Sequence, residues 1–174
     1  MTAHPISAER KPILLARDEG EALWFNNDLL TFKATGAGAQ GSFVLAEELA
    51  RRGKVTPLHT HPDETETFYI LEGQAIFHVD GAEHVVEAGG FVSVPPGTPH
   101  AYLVTTEVAR CLVLITPGDR AMEAFFRDAG EPAAERVLPP EGPLDIPRIA
   151  AAAERTGAVQ ILGPPPFDRP DVDA

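Results

Sequence analysis

Residues 59–73, HTHPDETETFYILEG, place two histidines two positions apart and a carboxylate five positions after the second. In a strand, residues i and i+2 point to the same face. His59 and His61 therefore project together, about 6–7 Å apart along the chain. Two neutral imidazoles on one face make a clamp for a metal ion. Glu66 opens the following segment and can bring its carboxylate back beside them. Asp63 and Glu64 compete for that role, but they fall in the connecting turn, where solvated side chains are expected. A fourth donor lies in GGFVSVPPGTPHAYLV, residues 89–104. Pro95, Pro96 and Pro99 fix φ, and Gly97 permits a positive φ. So rigid a turn can aim His100 from a remote strand at the clamp. Three imidazoles and one carboxylate suit one divalent first-row metal: iron, manganese, nickel, cobalt, copper or zinc. They argue against calcium and magnesium, which prefer oxygen shells. A lone HxH pair is a weak signal that a polar strand entering a turn explains equally well. The weight here comes from the two long segments taken together.

The elements that must position these residues read as short strands. Candidates span 28–35, 42–49, 55–61, 66–73, 74–80, 83–88, 91–95, 100–105 and 109–116. They are rich in β-branched and aromatic residues, with turn signals between, the pattern of an all-β sandwich or barrel. Asp80-Gly81 is a two-residue hairpin signal. No longer repeat is visible, which favours one barrel over two. By alternation, Phe68 and Ile70 share a face with Glu66, and Tyr102 and Val104 share one with His100. If the ligands point inward, these four line an apolar, partly aromatic pocket suited to a small hydrophobic ligand with an oxygen for the metal. Trp24 and Phe25 either anchor the first strand or pack at an opening. His78 and His84 flank the hairpin and are expected to face outward. His4 belongs to the N-terminal arm.

The barrel is expected over 23–116, after an arm at 1–22. A helical extension at 117–160 and a Pro-rich acidic tail at 161–174, extended or disordered, follow it. Asp119 offers an N-cap and Gly130-Glu131-Pro132 a stop. Between them Met122, Phe125, Phe126 and Ala129 form an apolar stripe. That stripe either packs on the barrel's exterior, or Phe125 and Phe126 close the barrel mouth and touch ligand. A second helix is expected over 146–157, after Asp145.

Composition excludes several partners. The 174 residues carry a net charge of −12, which repels phosphate backbones and anionic lipid. Nucleic acid and membrane surface are thus poor partners, no span for a bilayer is present, and no helix-turn-helix is visible. No secretory signal is read at the N-terminus, so a cytoplasmic address is expected. The one cysteine, Cys111, has no partner for an internal disulfide and reads as a small buried hydrophobe.

Two motifs give the chain a family likeness. Gly53, His59, His61, Glu66 and Gly73 meet G(X)5HXH(X)3,4E(X)6G. Gly89, Pro95, Gly97 and His100 meet G(X)5PXG(X)2H(X)3N, with Val104 in place of its final Asn. On these residues the chain resembles the cupin superfamily. The resemblance implies a small antiparallel jelly-roll barrel with a metal inside, bound by His59, His61, Glu66 and His100. The missing Asn is not a metal ligand. The flanks LWFNNDLLTFKATG and FFRDAGEPAAERVLPP, with the four-ligand set, resemble the single-domain quercetin 2,3-dioxygenase-like group. That implies a metal-dependent dioxygenase acting on a small aromatic or enol-type substrate with O2. Glu66 would be a ligand, or also a catalytic base for the substrate hydroxyl. A non-catalytic sensor or storage cupin, or an isomerase, lyase or decarboxylase, are the alternatives. A homodimer paired through edge strands is a further implication.

Overall fold

Asn26 and Asn27 both adopt positive φ, 54° and 67°, the geometry of a two-residue type I′ turn. They join β1 (Glu21–Phe25) to β2 (Asp28–Ala34) in a tight hairpin. β1 has no counterpart among the strands expected from sequence, because its turn carries no glycine. The computed structural model describes residues 11–118 and 120–168. His4 and the proposed cap Asp119 lie outside them.

Further strands are β3 (Val44–Arg51), β4 (Leu58–Thr60), β5 (Thr65–Glu72), β6 (Gln74–Val79) and β7 (Ala82–Glu87). They continue with β8 (Phe91–Val94), β9 (His100–Val104) and β10 (Val108–Thr116). Helix α1 (Arg120–Ala129), a two-residue β11 (Glu131–Pro132), α2 (Ile146–Thr156) and β12 (Gln160–Gly163) complete the described chain. Asp80 and Gly81, at φ 48° and 83°, turn β6 into β7 as their identities predict. The strand expected over 55–61 shrinks to three residues. Pro57 cannot donate to a ladder, and Val55 makes only an isolated bridge to Leu103.

Two sheets face each other, in the orders β11-β1-β2-β3-β10-β5-β8 and β12-β4-β9-β6-β7. The fold is an all-β jelly-roll barrel with a helical C-terminal extension. No helix among the described residues is long and apolar enough to cross a membrane. The core between the sheets is aromatic at its centre. Phe77, 1% exposed, lies 5.0 Å from Phe68 and 5.6 Å from Tyr102, ring to ring. Truncating Phe77 to Ala should cost about 3–5 kcal/mol. Chemical denaturation will show this as a lower midpoint at unchanged slope.

The C-terminal segment is built into the barrel. Asp145 caps α2 by accepting from the Arg148 amide at 3.1 Å. Gly157 ends it in the left-handed region, φ 69°. The chain then turns back, and β12 adds antiparallel to β4. Of the tail expected to be extended or disordered from 161, the first residues are extended, in a strand up to Gly163. Residues 169–174 lie outside the described chain.

Candidate metal centre

His59 sits on β4, His61 just beyond it, and His100 starts β9 in the same sheet. The backbones of His59 and His100 are direct cross-strand partners, and their rings lie 4.2 Å apart. Glu66 stands on β5 of the opposite sheet and reaches across the barrel interior. Gly97, at φ 75° in the turn before His100, donates its amide to the His61 carbonyl at 2.8 Å. The rigid turn therefore locks one ligand's backbone while it aims another. The four side chains are buried, and one ligand atom from each lies within 4.8 Å of all the others.

Hydrogen bonds behind the rings fix which nitrogen faces inward. His59 Nδ1 lies 2.8 Å from the Pro57 carbonyl, His61 Nδ1 2.9 Å from that of Ala158, and His100 Nδ1 2.9 Å from that of Thr98. A carbonyl only accepts, so each Nδ1 carries the hydrogen. In the neutral ring Nε2 is then a lone pair. Yet Glu66 Oε2 lies 2.9 Å from His100 Nε2 and 3.3 Å from His61 Nε2. Acceptors sit that close only around a cation, either a proton on a ring or a metal ion. The donor set and its tautomers fit a divalent first-row metal.

The electrostatics agree. Burial, with His100 beside it, pulls His59 down to about 4, so its ring is neutral at neutral pH. Burial also works against a charged His61, but the carboxylate of Glu66 raises it above the usual imidazole value. Burial opposes the charge on Glu66 too, and His61 and His100 overcome it, holding the carboxyl well below its ordinary range.

Above this cluster opens a cavity walled by Phe25, Leu30, Phe68, Val113, Met122, Phe125 and Phe126, among others. Of the side chains expected to line it, Phe68, Tyr102, Phe125 and Phe126 do. Ile70 and Val104 do not. Both share the predicted face but sit four residues farther along their strands than Glu66 and His100, about 13 Å. There they are core, at 2% exposure each, shut off by the Phe68–Phe77–Tyr102 layer. Of the two readings of α1, the structure supports closure of the mouth: Met122, Phe125 and Phe126 face the cavity. Phe125 and Phe126 pack edge-on against Phe25. Trp24 instead donates its indole N–H to the Val137 carbonyl. Glu64, expected to be solvated, is 2% exposed. His84 is exposed and His78 half-buried against Phe167. Cys111 is buried.

Several polar residues at the cavity were not singled out from sequence. Glu48 lines it at 4% exposure. It accepts from the Tyr102 hydroxyl at 2.7 Å and from Lys54 at 3.3 Å. The Lys54 ammonium also pairs with Asp28. Burial raises the Glu48 carboxyl to about 7. Asn26 lines the cavity as well, with Val159 and Ile161 from the C-terminal strap.

That strap reaches the metal cluster through Ala158, whose carbonyl orients His61. Outer-shell partners of this kind are typically worth ten- to hundredfold in affinity. A chain ended after Thr156 should therefore bind zinc roughly 10–100-fold more weakly. Titration against a chromogenic chelator will measure it. Unchanged affinity would mean the strap plays no part in holding the ligand.

Comparison with known proteins bears on this architecture. A family model for the cupin domain matches residues 47–115. Over 130 residues the chain is 32% identical to quercetin 2,3-dioxygenase of Bacillus subtilis, covering 75% of this chain and 38% of that protein. It thus spans well under half that relative's length. A predicted oxalate decarboxylase from Thermotoga maritima superposes with a TM-score of 0.55 at 21% identity, over 59% of this chain and 96% of that one. A cupin from Shewanella frigidimarina gives 0.56 at 17% identity, over 64% and 96%. At such identities these two structures attest the fold alone. The barrel, the domain match across its strands and the likeness to the Bacillus protein agree: residues 47–115 form a cupin domain, and the chain around it is similar to quercetin 2,3-dioxygenase.

Proposed function

We propose that this chain is a metal-dependent dioxygenase acting on a small aromatic or enol-type substrate with O2. The observation that carries the reading is the centre itself: three buried imidazoles with Nε2 turned inward around one carboxylate, beneath an apolar cavity. The likeness to quercetin 2,3-dioxygenase supports the reaction class. His59, His61, Glu66 and His100 would hold one divalent transition metal. Such an ion supplies a Lewis-acid seat for a substrate oxygen and a route for electrons to O2.

The chain's own residues do the rest. Phe25, Phe68, Phe125 and Phe126 exclude water and offer ring faces and edges to an aromatic substrate. Glu66 is held ionised by its histidine neighbours, so it stands ready to accept a proton. Its basicity is low for the same reason, so it would take that proton only from a hydroxyl that a bound metal ion has made acidic. With Oε2 turned to the imidazoles, Oε1 is the oxygen that receives the proton.

The test is oxygen uptake by protein loaded with iron, manganese, nickel, cobalt or copper in turn, given flavonols and related enols. At least one metal should support stoichiometric O2 consumption. A fully loaded protein that consumes none with any of them is not a dioxygenase of this class. A homodimer belongs to the same proposal. Tyr69 and Phe91 pair across β5 and β8 at a sheet edge, 44% and 65% exposed, a surface a second copy can cover. Light scattering at micromolar concentration should give twice the chain mass.

A further inference from the structure

The four ligand residues are 1–7% exposed, so an ion from solvent reaches them only when a wall gives way. The free space above them is about 70 Å³, below the roughly 150 Å³ with which a dry cavity takes up benzene. The walls differ in how firmly they are held. β10 pairs with both β3 and β5 along its length. Helix α1 is keyed into the core by Met122, Phe125, Phe126 and Ala129, all buried. Helix α2 buries only Ala152 and Ala153, side chains that take little apolar area out of water. Its other holds lie at the surface, where Arg148 donates to the Asp128 carbonyl at 2.7 Å and Arg155 pairs with Asp128. Exposed ion pairs add little. After α2, β12 stands at a sheet edge, and its register on the three-residue β4 slips between Ile161 and Gly163. Few buried apolar contacts and a short ladder are the marks of a segment that opens on its own.

The same segment touches the ligands. Ile161 lies opposite His59, and the Ala158 carbonyl accepts from His61 Nδ1 at 2.9 Å. Ile149, Val159 and Ile161 line the cavity. We propose that residues 146–163 form a gate through which the metal enters and leaves, and whose lifting withdraws the acceptor that aims His61 as it uncovers the cavity. The gate lifts between two pins. One is Gly142, whose carbonyl accepts from Asn27 at 2.8 Å; the other is Phe167, edge-on to His78. Coupling of this kind is reciprocal. A bound ion fixes His61 in the orientation that the shut gate accepts, so metal holds the gate closed. This rests on the reading of the histidine–glutamate cluster as a metal site.

A reversible lock tests it. Thr60 and Gln160 are direct cross-strand partners, on the face turned away from His59 and Ile161. Antiparallel partners have Cα atoms about 4.5–5.5 Å apart, within reach of a disulfide. Thr60→Cys/Gln160→Cys therefore makes one protein that is locked when oxidised and free when reduced with a phosphine. Zinc uptake by the empty protein and zinc release to a chromogenic chelator are timed in both states. Oxidation should slow both roughly tenfold or more, with affinity moved by less than about threefold, because a gate changes rates and not the shut site. Equal rates in the two states, with the disulfide verified by mass, overturn the gate. Slower release with unchanged uptake overturns it too, since that is a firmer site and not a barred entrance. Hydrogen exchange on the wild type needs no substitution. Residues 157–163 should exchange roughly a hundredfold faster than β10, and more slowly once zinc is bound. Protection equal to that of β10, or indifference to zinc, sinks the proposal. If no zinc binds at all, the metal reading fails, and exchange in the empty protein decides the gate. Fast exchange of 157–163 that oxidation of the double variant suppresses upholds the opening; exchange as slow as that of β10 refutes it.

Discussion

His100→Ala will lose the metal. Its ring is 1% exposed and packs 4.2 Å from His59, and its Nε2 lies 2.9 Å from the Glu66 carboxylate. Removing it leaves three donors, of which Glu66 is the only one from the opposite sheet. Outer-shell changes cost about ten- to hundredfold in affinity, and a direct ligand should exceed that. Elemental analysis of the wild type should find about one equivalent of a first-row metal, with little in the variant. His84→Ala is the control, since His84 is exposed on β7 and its loss should leave metal content unchanged. A thermal unfolding curve separates lost ligation from lost fold. If the folded His100→Ala protein keeps full metal, the four-residue centre is wrong.

How much of this was legible beforehand depends on range. His59 and His61 are set by the period of one strand, and His100 by a turn whose prolines and glycine declare themselves. These are local rules, and they bring all four ligand candidates into one cluster in the structure. Glu48 shows where such rules stop. In β3 the inward set is Val44, Ala46, Glu48 and Ala50, and the outward set Leu45, Glu47, Leu49 and Arg51. Each has apolar members and one Glu, so hydrophobicity alone does not say which face is in. Register decides it, and register is fixed by pairing with β2 and β10. Ile70 and Val104 failed for another reason. Alternation assigns a face but not a depth, and depth depends on where the aromatic layer closes the barrel. The strap was hidden because β12 forms only by pairing with β4, about a hundred residues earlier in the chain. Its own sequence, rich in glycine and proline, reads as a tail.

Glu66→Gln separates a ligand from a base. The two side chains have nearly the same shape, and the site is buried at 6% exposure, so the barrel should tolerate the exchange. Gln offers an amide oxygen to a metal but no carboxylate for a proton. If Glu66 serves only to bind metal, turnover per bound metal should stay within a few-fold of wild type once the ion is supplied in excess. If it takes the substrate proton, turnover per bound metal should fall by about 10²–10⁴, the usual worth of a positioned general base. Spectra taken without O2 give an independent reading. An enol that has surrendered its proton absorbs at longer wavelength than the neutral form. Wild type should hold bound 3-hydroxyflavone as the anion near neutral pH, whereas Glu66→Gln should hold it neutral until the pH is raised. The low basicity of Glu66 limits the transfer to a hydroxyl that the bound ion has made acidic. His61 and His100 hold it ionised, so in wild type the acceptor is empty throughout the neutral range, and the substrate's own acidity sets the transfer. Identical bound spectra in the two proteins, with turnover preserved, would confine Glu66 to ligation and leave the proton to solvent.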